Sequence, residues 1–70
     1  MSNRQDGKVR MFDDRQGHGL IAPDDGGDDL FVERKALENP GFGGLKQGQA
    51  VSFVAEKGPK GMHATLVRPE

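Results

Sequence analysis

Seventy residues without a cysteine leave room for one domain, exclude disulfide and thiolate-metal scaffolds, and bury only about 60% of the surface the unfolded chain exposes, which argues against a large enclosed catalytic cleft. Apolar residues make up 33% of the chain and the charges nearly cancel at a formal −1, so a small core is within reach but bulk charge points to no polyanionic partner. The apolar runs are only a few residues long and the first ten residues are polar, so neither a signal peptide nor a membrane span is expected, and the reading is a cytoplasmic protein of a reducing compartment.

Eleven glycines and four prolines are spread along the chain, and no eleven-residue window keeps a 3.6 period. This predicts short strands punctuated by turns. Residues 1–6 are expected as a flexible N-terminal segment, with a single domain over 7–70. A first strand over 8–12 runs into Asp13-Asp14-Arg15-Gln16-Gly17, whose glycine suits the positive φ of a short hairpin loop. A second strand over 18–22 ends in Pro23-Asp24-Asp25-Gly26-Gly27, a turn written in turn-forming residues, and a third covers 30–33. These three form a meander. Residues 33–38 make a helical turn, and Asn39-Pro40-Gly41-Phe42-Gly43-Gly44 can be neither helix nor central strand, so they form the long connection. Strands over 50–56 and 63–68 close a second hairpin around Lys57-Gly58-Pro59-Lys60-Gly61. The spacing predicts an all-β barrel.

Alternation assigns the faces. Val9, Ile21, Leu30, Val32, Val51 and Phe53 share inward parity, and Leu37 plugs the barrel end from the helical turn. Phe12, His18, Leu20, Phe31 and Phe42 fall outside that set, with a twist or bulge near Met11 turning both Met11 and Phe12 outward. An outward apolar cluster on a small domain calls for a partner.

Several motifs do not survive inspection. Gly17-His18-Gly19-Leu20-Ile21-Ala22 fits a permissive dinucleotide pattern, but Pro23 follows at once and no helix N-terminus can hold a pyrophosphate. A calcium loop starting at Asp24 would put Asp29 where glycine belongs and Lys35 where the bidentate glutamate belongs, so the aspartates read as a solvated hairpin tip. The serines are Ser2 and Ser52 and the histidines His18 and His63, with no spacing that pairs a nucleophile with a base; no enzyme activity, metal or cofactor is expected. Lys57 and Lys60 serve equally as a solubilising loop or as phosphate contacts.

The order of segments then carries a resemblance. Gly7-Lys8-Val9-Arg10-Met11-Phe12, Gln16-Gly17-His18-Gly19-Leu20-Ile21, Pro23-Asp24-Asp25-Gly26, Asp29-Leu30-Phe31-Val32, Asn39-Pro40-Gly41-Phe42, Gly48-Gln49-Ala50-Val51-Ser52-Phe53 and Lys57-Gly58-Pro59-Lys60-Gly61 resemble the bacterial cold-shock protein family over about residues 7 to 67. The resemblance implies a five-stranded antiparallel OB-type Greek-key barrel that binds single-stranded RNA or DNA, as an RNA chaperone or a modulator of transcription or translation. Bases would stack on outward aromatics of the first three strands, with cations on phosphates. Carried over residue by residue, the binding set is Arg10, Met11, Phe12, His18, Leu20, Phe31, Arg34, Phe42 and Lys60.

The chain departs from the family pattern at the centre of that set. Met11 stands where the family has Trp, His18 and Leu20 where it has two Phe, Gln16 where it has Lys, and Glu33 and Arg34 where it has His and Phe. Imidazole, guanidinium and thioether groups still offer stacking surface, though less than indole or phenyl. The expectation is weakened or altered affinity. The alternative is an OB barrel whose face serves protein contact or homodimerisation. Glu33 would also repel phosphate unless it pairs with Arg34 or Arg10.

Overall fold

In a computed structural model, described here over residues 4–38 and 45–70, the five expected strands all form: β1 (Arg4–Asp13), β2 (His18–Pro23), β3 (Leu30–Glu33), β4 (Ala50–Gly58) and β5 (Gly61–Pro69). They close into a barrel in the order β1-β2-β3-β5-β4. A 3-10 turn, Arg34–Ala36, stands where the helical turn was expected. β1 begins at Arg4, inside the stretch expected to be flexible, because Arg4, Gln5 and Asp6 pair with Val54, Phe53 and Ser52.

Four of the five seams are antiparallel, as expected for this barrel. The fifth differs: β3 and β5 run parallel, with Phe31 beside His63 and Val32 beside Ala64. The reason is connectivity, since a parallel pair needs a long crossover and the chain between β3 and β5 includes all of β4. A bridge from Leu37 to Val67 continues this seam past the 3-10 turn.

All seven side chains assigned to the interior, Val9, Ile21, Leu30, Val32, Leu37, Val51 and Phe53, are buried. Alternation did not reveal Leu45, Ala64 and Val67, which are buried with them. The last two lie three apart because β5 is irregular: Ser52 faces Arg68 and Val54 faces Thr65, so Phe53 opposes both Leu66 and Val67. Leu66 is the extra residue, at φ 49°, a left-handed conformation that costs a non-glycine residue about 1–2 kcal/mol. The Arg4 guanidinium holds it, donating to the Leu66 carbonyl at 2.7 Å and to Ser52 Oγ at 2.9 Å.

A second bulge shapes the outer face. The register of β1 against β2 slips between Val9 and Met11, so Arg10 is the extra residue and the strand bends there. The bulge lies next to Met11, where alternation required it. It turns Met11 outward but leaves Phe12 inward, opposite Gly19. Phe12 is therefore half-buried against the core, a correction to the expected outward pair. Gly19 makes this possible: a Cβ there would lie 2.2 Å from the Met11 carbonyl and 2.7 Å from Phe12 Cα. Gly17, at φ 76°, closes the hairpin before it.

Candidate nucleic-acid interface

Strand registers place one outward row across four neighbouring strands. Met11 on β1 faces Leu20 on β2, Leu20 faces Phe31 on β3, and Phe31 lies beside His63 on β5. Neighbouring strands lie about 4.8 Å apart, so these side chains form a continuous surface. Met11 is 42% and Phe31 39% exposed, a large apolar outlay on so small a domain. His18, one step along β2, brings its ring centroid to 5.4 Å from that of Phe31 at an interplanar angle of 32°. Its Nε2 lies 2.7 Å from Gln16 Oε1, which steadies the imidazole beside the phenyl.

The structure thus brings Met11, His18, Leu20 and Phe31 together and places Phe12 behind them. Phe42 lies outside the described residues. Lys60 is exposed at the tip of the hairpin between β4 and β5, across a groove of about 520 Å³ that Phe31 also lines.

The cations around this surface are unequally engaged. Arg10 Nε lies 2.6 Å from Asp29 Oδ2, and Lys8 Nζ 3.1 Å from Asp24 Oδ1, so the acidic loop between β2 and β3 holds both. Arg34 folds back instead of lying open for stacking: its guanidinium donates to the Asp14 carbonyl, and its amide donates to the Gly17 carbonyl at 2.8 Å. Glu33 pairs with Lys35 at 3.9 Å, not with Arg10 or Arg34. Among the described residues, the side chains of Arg15, Lys46, Lys57 and Lys60 carry no ion pair or hydrogen bond.

Two carboxylates are shifted, and neither belongs to the row. A hydrogen bond from Arg68 holds Glu38 below the usual carboxylate range, and a hydrogen bond shared with Asp6 pushes Glu70 above it. Among the described residues, no group of three or more His, Asp or Glu side chains is arranged to hold a metal ion. No helix of the described residues is long and apolar enough to cross a membrane.

Sequence reasoning missed His63 as a member of this surface. Its signal was the outward parity of 63 against Ala64, but only the parallel seam with β3 puts that position next to Phe31.

The profile of the 'Cold-shock' DNA-binding domain matches residues 5–70. The chain is 62% identical over 64 residues to the cold shock protein CapA of Pseudomonas fragi, covering 91% of this chain and 100% of that protein. It is 54% identical to the cold shock protein CapB of Pseudomonas syringae pv. tomato, with 97% of each chain covered, and 47% identical to the major cold shock protein CspA of Pseudomonas aeruginosa, again with 97% of each covered. Among solved structures, Drosophila Unr CSD456 superposes with a TM-score of 0.80 at 13% identity, covering 96% of this chain, which spans 26% of that one. That likeness concerns the fold alone.

Proposed function

The chain belongs to the cold-shock domain family, and on that premise we propose that it binds single-stranded RNA or DNA and keeps the strand unpaired, as an RNA chaperone or a modulator of transcription or translation. One observation carries this reading: Met11, Leu20 and Phe31 form an unbroken outward row over three adjacent strands, Met11 and Phe31 exposed and Leu20 half-buried between them, with the His18 ring against Phe31. Unpaired bases have apolar faces of matching width and need no sequence-specific hydrogen bonds to settle on such a row.

Affinity is lower than an all-aromatic row would give. Each stacked base is worth about 1–3 kcal/mol, and a micromolar complex has only about 8 kcal/mol in total. Replacing ring stacking by Met11 and Leu20 therefore removes a large share, and contacts of Arg10 and Lys60 with phosphate restore part of it. The salt dependence is shallow, because a strand must displace Asp29 from Arg10 before a counterion-releasing contact forms.

Fluorescence anisotropy of end-labelled dT7 and rU7 tests this, since a chain with neither Trp nor Tyr gives no useful intrinsic signal. Micromolar binding that weakens about tenfold or more in Phe31→Ala is the expected result. Absence of binding at low salt overturns it. A mass that rises with concentration, measured on the same samples by sedimentation, would then assign the apolar row to contact between proteins.

A further inference from the structure

A chain without Cys, Trp or Tyr leaves methionine as the side chain most open to a mild two-electron oxidant. It carries Met1, Met11 and Met62, of which Met1 lies outside the described residues. Met11 and Met62 are alike in exposure, at 42% and 49%, but unlike in place. Met11 stands in the outward row opposite Leu20, whereas Met62 pairs with Lys57 near the tip of the β4 and β5 hairpin. We propose that Met11 is a reversible oxidation site through which a peroxide switches off the binding face. The inference rests on the reading of that face as a single-strand binder and adds a regulation to it.

The step balances with hydrogen peroxide as the oxidant. The Met11 sulfur attacks one peroxide oxygen and forms an S–O bond with its lone pair, while the O–O bond breaks and the departing hydroxide takes the proton of the transferred hydroxyl to leave as water. Sulfur is oxidised to the sulfoxide and the peroxide is reduced. A methionine sulfoxide reductase runs the return with two thiols, which are oxidised to a disulfide as the sulfoxide oxygen leaves as water. The chain holds no thiol of its own, so oxidant and reductant both come from outside and the protein decides only where the sulfur is presented.

Backbone geometry keeps that sulfur outside. The bulge at Arg10 turns Met11 outward, and a Cβ at Gly19 would lie 2.2 Å from the Met11 carbonyl, so β1 and β2 are too close for the strand to roll. Phe12 already packs against the core at the next position. Leu20 and Phe31 are inert to peroxide, which makes Met11 the member of the row that oxidation changes. A sulfoxide puts a polar acceptor where an apolar, polarizable group stood. Lys8 and Arg10 on the same strand are turned to Asp24 and Asp29 at 3.1 and 2.6 Å, so the new oxygen takes its hydrogen bonds from water. A base settling on the row must strip that water and returns only its apolar face, which weakens binding about tenfold.

The test exposes the protein to graded hydrogen peroxide, follows oxygen gain at each methionine by peptide mass spectrometry, and titrates labelled dT7 by anisotropy before and after. In the wild type, Met11 oxidises alongside Met62, bound dT7 slows oxidation at Met11, and affinity falls about tenfold in step with the Met11 sulfoxide fraction. Thiol-driven reductases for both sulfoxide epimers restore it, and thermal melting shows the oxidised protein still folded. Met62→Leu shows the same fall, whereas Met11→Leu, compared with its own untreated state, changes less than about twofold. Oxidation of Met62 without Met11, an equal fall in Met11→Leu, failure of the reductases to restore binding, or unfolding on oxidation overturns the switch. If the untreated protein binds dT7 and the oxidised protein binds it equally, only the switch falls. If the untreated protein binds no strand, the single-strand reading fails and takes the switch with it.

Discussion

At the β1 end of the outer row, Lys8 and Arg10 each reach a carboxylate of the loop between β2 and β3, whereas on the β4 and β5 hairpin Lys57 and Lys60 form no ion pair among the described residues. The two margins border the same apolar row, yet a phosphate meets them differently. At the first it must compete with Asp24 or Asp29, in pairs exposed enough to be worth only about 0–1 kcal/mol each. At the second it meets cations with nothing to displace. Nominal charge near a site is thus a poor guide to its electrostatic contribution, and the partner of each cation decides.

The contrast breaks most readily at the hairpin. Lys57→Gln combined with Lys60→Gln is expected to weaken dT7 binding about three- to tenfold at low salt and to flatten the slope of log K against log salt by about 1. Anisotropy across a salt series reads both quantities. An unchanged slope would show that the unpaired lysines do not face the strand.

A change remote from both margins separates stability from binding. Leu66→Gly relieves the left-handed residue of β5 at the smaller entropic cost of glycine, and is expected to stabilise the fold by about 0.5–1 kcal/mol, a rise in Tm of roughly 3–6 °C. Affinity for dT7 stays as in the wild type. A lower Tm would mean that the exposed leucine packs more usefully than its position suggests.

A finer test acts on the engaged margin. Asp29→Asn releases Arg10 and is expected to tighten binding about two- to threefold at low salt while steepening its salt dependence. Looser binding would mean that Asp29 positions Arg10 instead of competing for it.

The smallest effect concerns acid stability. Because the Arg68 hydrogen bond lowers the Glu38 pKa in the folded protein, the pair's contribution is present above the unfolded carboxylate pKa and is lost as pH falls through the folded one. Glu70 has the opposite sign: its raised pKa beside Asp6 disfavours the fold at higher pH and relieves that cost as pH drops. Arg68→Gln should return the Glu38 titration, followed by side-chain carboxyl NMR, toward the ordinary range and leave Glu70 unmoved.

Much of the fold was legible because it is local. The turn residues at 13–17 and 23–27 bounded the strands, period-two burial picked out six core side chains with Leu37 added from the helical turn, and the parity of Met11 and Phe12 called for a twist or bulge near Met11. The candidate row was legible too, as outward parity at Leu20 and Phe31. Phe12 was misplaced because the bulge absorbs one residue, not two. Ala64 and Val67 were missed because a residue at positive φ resets the alternation in β5.

Strand existence, turn positions, the inward residues of the regularly alternating strands and the apolar character of the outer row are properties of neighbouring residues, so the amino-acid sequence determined them alone. The parallel seam that puts His63 beside Phe31, the inward turn of Phe12 over Gly19, and the capture of Lys8 and Arg10 by Asp24 and Asp29 were decided only by the closed barrel. Each joins residues from different strands or loops, and their meeting depends on register and closure, which no local period encodes.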